Sequence, residues 1–371
     1  MLARARDLAD ADRVAMQTGA SPQELVRQAR RAERTAILFG TLADRYLEEV
    51  VRPNKGASTH AAERSYLVSA RSEWAERKAK DITRQDIIDF LDRRAKVAPI
   101  GANRTRTVLA ALFGFAVDKA LLEMTPVVKI AKPTKRERAK DRVLSDEEIR
   151  ILWRALDGVD PPLAAGLRVL LLTGQRPGQV TAMDAGELHD LQGAKKATWH
   201  IPIEKRKDTR ANKRGPHVVP LSVMASEIIK TVIASKREHD KSSWVFWSYR
   251  NPGNALDRHS LSRALQRVLA NLQSDDPNET KIIEGLRADR PTPHDFRRTC
   301  ATQMAALGVA REDRMAVLDH SEGDVHDAHY DRYDRLREKR IALEKWARRL
   351  QHVLVGSAHL DNVIELQGSR R

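Results

Sequence analysis

One interval breaks an otherwise helical pattern. Between Glu187 and Leu221 the apolar residues leave helical spacing for short extended runs, the clearest at residues 198–203 and 217–221. A very basic stretch, residues 205–214, separates these runs and suits a hairpin with a long tip. Elsewhere apolar residues recur three and four apart, the period of helices that bury one face. The expected fold class is therefore mainly α with a small antiparallel β-sheet (α+β).

The helical pattern divides the chain. Residues 1–38 read as a charged N-terminal extension, with one or two helices broken near Gly19 and Pro22. Residues 39–130 read as a helical domain in which Phe39, Leu42, Ala43, Tyr46, Leu47 and Val50 share a face. A second helix is expected over 61–74. A third starts after Thr83 as N-cap, with Asp86 in its first turn and Ile87, Phe90 and Leu91 inward. A fourth covers 102–120, and Pro126 ends that element. Arg93, Arg94, Lys96, Arg104 and Arg106 flank the loop between the third and fourth helices. A DNA-facing edge and a merely solvated edge account for them equally.

Residues 131–144 read as a basic linker. Its segment 131–142 holds six basic and two acidic residues plus Pro133. Lys132, Lys135, Arg136 and Arg138 would add phosphate contacts there, the alternative being an ordinary charged hinge. Residues 145–352 form the next domain. It opens on a capping box, Ser145 with Glu148, and an apolar helix over 164–172 stops at Thr173 and Gly174, placing Arg176 at a helix-to-helix turn. Helices return at 224–236, 261–272 and 336–350, while 274–291 read as an exposed loop. Residues 353–371 form a tail, apolar in patches, that would complete the core or else dock on a neighbouring subunit.

Composition bounds the function. The 371 residues carry a formal net charge of +15, which favours a polyanionic partner, most often nucleic acid. The single cysteine, Cys300, excludes an intrachain disulfide or a Cys-rich zinc site. No apolar run reaches membrane-spanning length and no signal-peptide pattern opens the chain, so a cytoplasmic location is expected.

The chemistry concentrates in residues 292–333. Thr292 and Pro293 start a helix on which His294 and Arg297, three apart, face the same way. A short helix over 312–318 ends just before His320, and Tyr330 and Tyr333 follow. Arginine binds phosphoryl oxygens as a fork, histidine moves protons and tyrosine can be a nucleophile, so the set suits a phosphodiester.

Taken in order, Thr173-Gly174-Gln175-Arg176, a hairpin lysine, His294-x-x-Arg297, His320 and Tyr330 resemble the tyrosine recombinase (phage integrase) family. So do the runs VVPLS from Val218, TPHDFRRT from Thr292 and VLDHS from Val317, and the resemblance extends over residues 39–350. It implies a helical core DNA-binding domain at 39–130 and a catalytic domain at 145–352, closing as a clamp on duplex DNA. It implies site-specific recombination through a 3′-phosphotyrosyl intermediate, integrating or excising a mobile element such as a phage or genomic island. Tyr330 would be the nucleophile, Arg176 and Arg297 the phosphate binders, and His294 a base or hydrogen-bond partner. His320 would donate to a phosphate oxygen, and a lysine would protonate the leaving 5′-oxygen. The hairpin offers Lys205, Lys207 and Lys213. Counting from the strand before the turn selects Lys207, and counting back from His217 favours Lys213. Lys213, Arg214 and Arg298 join the expected DNA contacts. No two-metal carboxylate cluster is present, so no metal or cofactor is expected.

The expected partners are double-stranded DNA at attachment-type sites, a homotetramer on paired sites and an accessory DNA-bending protein, with location at the nucleoid. The charged extension resembles the end of an arm-binding domain, which would make the chain N-terminally truncated. Two departures stand out: Gln179 occupies a position commonly acidic in the family, and Tyr333 lies one helical turn beyond Tyr330. Alternatives are a type IB topoisomerase-like enzyme and a catalytically inactive DNA-binding relative.

Overall fold

The computed structural model describes Arg27 and residues 36–134, 141–193, 196–206, 215–236, 242–251, 253–320 and 334–356. The chain divides into two compact units, Met1–Ala139 and Lys140–Arg371. The expected extension at 1–38 falls almost wholly outside the described residues, as do Lys135, Arg136, Arg138, Lys207, Lys213, Arg214, Tyr330, Tyr333 and the tail beyond 356.

The first unit is helical among the described residues. Helix α1 (Phe39–Tyr46) runs on through Leu47–Val51 and Arg52–Asn54, and α2 (Ala57–Trp74), α3 (Arg84–Val97) and α4 (Pro99–Asp118) follow. The start of α3 is local chemistry. The backbone N–H of Asp86 donates to Thr83 Oγ1 at 3.2 Å, and the Asp86 carboxylate accepts from Thr83 N at 2.8 Å. Phe39, Trp74 and Phe90 meet at the centre, with Trp74 edge-on to Phe39 at 5.5 Å and 4.8 Å from Phe90. The stretch after α4 is strapped back onto it. Arg106 Nε donates to Ile130 O at 2.6 Å and Asn103 Nδ2 to Thr134 O at 2.8 Å.

The second unit is helical around one three-stranded antiparallel sheet. Its helices are α5 (Asp146–Ala155), α6 (Pro161–Thr173), α7 (Pro177–Thr181), α8 (Val223–Ala234), α9 (Ser260–Asn271), α10 (Pro277–Ala288), α11 (Pro293–Ala306), α12 (Arg311–Val317) and α13 (Leu336–Val355). The strands β1 (Leu188–His189), β2 (Thr198–Ile201) and β3 (His217–Pro220) lie in that order, with Trp199 opposite Leu188 and Val219. Strand β2 stops two residues earlier than its apolar run, because Pro202 has no N–H to offer the ladder. Helix α6 is buried over most of its surface, and α5, α9, α11 and α13 pack with it in one apolar core.

One expectation is overturned. Residues 274–291 are not an exposed loop: Pro277–Ala288 is helical and buries Ile283 and Leu286. The polar cluster read as a loop is the helix start. Asp276 accepts from Asn278 N at 2.8 Å, and Pro277 occupies the first turn, where no N–H is needed.

Candidate active site

Helix α6 ends where Gly174 adopts a left-handed conformation, φ +64°. A Cβ at this position would stand 3.0 Å from Cys300 Sγ and 3.1 Å from Leu318 Cδ2, so both the turn and the close approach require glycine. The buried Gln175 then donates from Nε2 to Thr173 O at 3.0 Å and Val317 O at 2.8 Å, fastening the turn to the end of α12. Arg176 follows as the N-cap residue of α7, and its backbone N–H donates to Gln179 Oε1 at 3.1 Å.

Helix α11 starts at the next motif. Thr292 donates to Asp295 Oδ2 from both N and Oγ1 at 2.8 Å, and Arg298 pairs with the same carboxylate. This closed start sets His294 and Arg297 one turn apart. Arg297 is 3% exposed. Its Nη1 donates to Gly174 O at 2.7 Å and its Nη2 to Leu318 O at 2.7 Å. The same Nη2 lies 2.8 Å from His320 Nε2. A guanidinium can only donate, so Nε2 is the acceptor and the imidazole proton sits on Nδ1. Burial, then the neighbouring Arg176, holds the Arg297 pKa down to about 10, which still leaves it charged at neutral pH. Partial desolvation, then Arg297 and Arg298, lowers the pKa of His294, which makes it a neutral proton acceptor at pH 7.

Arg176, Arg297 and His320 therefore converge, with His294 on the same helix as Arg297. Two residues not singled out from the sequence join them. Asp319 takes φ +52° and its carboxylate lies 3.4 Å from Arg176 Nη1. Arg206 holds that carboxylate as a fork, Nη2 to Oδ1 at 2.5 Å and Nε to Oδ2 at 3.2 Å. Asp319 lies within the VLDHS run, but nothing local shows its role or that of Arg206, because each is defined by a partner far away in the chain.

Among the hairpin lysines, Lys205 is committed elsewhere. Its Nζ donates to Ala182 O at 2.6 Å, pairs with Glu187 and sits 5.2 Å over the Trp244 ring. Lys207 and Lys213 are outside the described residues. In the first unit Arg93 forks onto Glu73, Arg94 donates to Ser69 and Arg106 to Ile130, whereas Lys96, Arg104 and Lys132 are exposed. Arg298 is occupied by Asp295 and the Arg142 carbonyl. Among the described residues no group of His, Cys, Asp and Glu could hold a metal ion. No helix among them is long and apolar enough to cross a membrane.

His217, at the start of β3, braces the site from beneath, its Nε2 donating to Val317 O at 3.1 Å. Burial pushes its pKa down to about 3. Below the ordinary imidazole value of 6.5 the unfolded chain takes up a proton that the folded protein refuses, so stability is lost as the pH falls toward 3. The slope contributed is about 1 kcal/mol per pH unit. In thermal melts from pH 7 to pH 4, His217→Gln should be less acid-sensitive than wild type by that amount. An unchanged pH dependence would show that His217 does not titrate this way.

Comparison with known proteins bears on the family and the fold. Residues 142–337 match the model of the phage integrase family. Prophage integrase IntZ of Escherichia coli (strain K12) is 24% identical over 286 residues, 76% of this chain and 63% of that protein, so the chain spans less than two thirds of this relative. A lambda integrase dimer bound to a COC′ core site is similar with a TM-score of 0.60 at 17% identity, covering 89% of this chain and 87% of that one. A lambda integrase tetramer bound to a Holliday junction gives 0.61 at 16% identity, covering 88% of each. The Tn1549 transposon integrase (aa 82–397) in complex with circular intermediate DNA gives 0.55 at 13% identity, covering 80% of this chain and 96% of that one. At such identities the structural likeness speaks for the fold, while the family match spans more than half of the 371 residues, and on that match the chain belongs to the phage integrase family of tyrosine recombinases.

Proposed function

We propose that this protein is a site-specific DNA recombinase that cleaves and rejoins DNA through a 3′-phosphotyrosyl intermediate, in the service of a mobile element. The observation that carries this reading is the grip of Arg297. One buried guanidinium joins the Arg176 turn, α11 and His320, three motifs from separate parts of the chain. Two arginines beside a proton acceptor and a proton donor form a preorganised, charged cradle, which a phosphodiester needs as charge builds on its nonbridging oxygens.

In this reading the oxygen of Tyr330 attacks the scissile phosphorus. Its proton passes to an acceptor, for which neutral His294 is suited. The P–O5′ bond breaks, and the 5′-oxygen takes a proton from Lys207, with Lys213 as the second candidate. A 5′-hydroxyl from a partner strand then attacks the phosphotyrosine, restoring the DNA and the tyrosine. His320 donates from Nδ1, since Nε2 faces Arg297. The bond energy is conserved, so no nucleotide cofactor is consumed. Lys96, Arg104, Lys132, Lys135, Arg136, Arg138, Lys213 and Arg214 supply contacts to the DNA backbone. The assembly on DNA is a homotetramer on paired attachment-type sites, by analogy with the lambda integrase tetramer bound to a Holliday junction. An accessory bending protein and location at the nucleoid belong to the same reading.

The test is covalent trapping. Wild type and Tyr330→Phe are incubated in chelator with nicked duplexes tiled from the DNA flanking the gene. A denaturation-resistant adduct in wild type, absent in Tyr330→Phe, is the expected result. An adduct surviving in the variant transfers the role to Tyr333. Tight binding without any adduct would establish a binding-only relative.

A further inference from the structure

Asp319 sits in a backbone conformation that few residue types other than glycine, Asn and Asp adopt. Its φ of +52° is a left-handed conformation that glycine adopts freely and most side chains avoid. The contacts of its side chain say what it does there. The carboxylate is 4% exposed and both oxygens are engaged. Arg206 takes them as a fork, at 2.5 Å and 3.2 Å, and Oδ2 also lies 3.4 Å from Arg176 Nη1. Arg176 Nη2 donates in addition to the Asp319 carbonyl at 3.3 Å.

The two arginines are held unequally. The fork on Arg206 is short and nearly buried, that side chain being 10% exposed, whereas Arg176 is 22% exposed and contacted at longer range. Arg206 therefore fixes the carboxylate, and the carboxylate steers Arg176 while leaving its guanidinium able to engage an outside anion. Arg206 is itself fixed, since its Nη1 donates to Gly215 O at 2.9 Å, bracing the sheet side of the site. Gln179, the side chain next in line to orient Arg176, has spent its polar atoms on main chain: Oε1 accepts from Arg176 N and Nε2 donates to Lys205 O at 3.4 Å.

We infer that Asp319, gripped by Arg206, is the positioning carboxylate of this site and sets the guanidinium of Arg176 for the scissile phosphate in place of Gln179. The inference rests on the phosphodiester reading above. It gives Arg206 and Asp319 roles that act through Arg176, with no contact of their own to DNA. Asp319 also faces Arg297 and Lys339, so its charge offsets a cluster of cations that would otherwise repel one another.

The test is a double-mutant cycle on adduct formation with a nicked duplex that the protein cleaves. Asp319→Asn preserves the shape and tolerates the left-handed conformation. In the otherwise wild-type protein it should slow adduct formation by about tenfold or more, with the Kd for the same duplex changed less than about threefold. In an Arg176→Ala background it should cost less than about twofold, because the residue it positions is gone. Equal losses in both backgrounds would overturn the inference and leave Asp319 a general structural residue. Arg206→Lys keeps the charge and loses the fork, and should reproduce a smaller version of the same non-additivity. It decides the matter if Asp319→Asn does not fold. Should wild type form no adduct on any duplex, the phosphodiester reading fails by itself, and melts of the DNA-free protein decide the network. A Tm loss in Asp319→Asn/Arg206→Lys smaller than the sum of the single losses supports the grip, and a strictly additive loss removes it.

Discussion

Arg297→Ala is expected to slow adduct formation by at least about a hundredfold, the usual cost of removing one preorganised donor from a charged transition state. The same variant should unfold more easily. Arg297 holds Gly174 O and Leu318 O at 2.7 Å each, in a setting with little water to replace it. An orphaned buried carbonyl costs about 1–3 kcal/mol, and relief from burying the charge returns part of this. A net loss of about 2–4 kcal/mol should lower the Tm by about 5–10 °C in a unit of this size. Arg297→Lys separates the two effects. An ammonium retains the charge but cannot fork between two carbonyls while reaching His320, so most of the activity should still be lost. Rates are measured well below the Tm of each variant. Adduct formation within about tenfold of wild type in the alanine variant would remove Arg297 from the transition state.

Trp346→Ala should be the most destabilising single change in the second unit. Trp346 is fully buried on α13, and its Nε1 donates to Leu171 O at 2.9 Å. Removing it opens a cavity beside α6 and strands that carbonyl, for a combined loss of about 3–5 kcal/mol in denaturant unfolding. The consequence for function is indirect but specific. Helix α13 begins at Leu336, six residues after Tyr330, so it anchors the chain on the far side of the proposed nucleophile. Adduct yield should fall with the folded fraction, and more steeply if the anchor also sets the reach of Tyr330. A loss below about 1 kcal/mol would mean that α13 is not the keystone its burial implies.

Much of the architecture was readable because its determinants are local. Thr83 with Asp86, Ser145 with Glu148, and Thr292 with Asp295 each mark a helix start within four residues. The change from helical to alternating apolar spacing located the sheet, and Gly174 located the turn before Arg176. The same reasoning failed at 274–291, where the polar residues of a helix cap look like those of a loop and only the burial of Ile283 and Leu286 separates the two. Charge is visible in a sequence, but the bonds that Arg94 makes to the Ser69 hydroxyl and Arg106 to the Ile130 carbonyl are not.

The residue order alone was enough to establish the helix-rich class, the strand pair, and the spacing of Arg176, His294, Arg297, His320 and Tyr330, because periodicity, capping and motif spacing act within a few residues. Tertiary packing alone decided which charges meet. Arg176 and Arg206 find Asp319 across 143 and 113 residues, and Arg297 finds Gly174 across 123. Such pairs leave no local trace, since a buried ion pair forms only where folding has already brought its members together and removed the water that would have screened them.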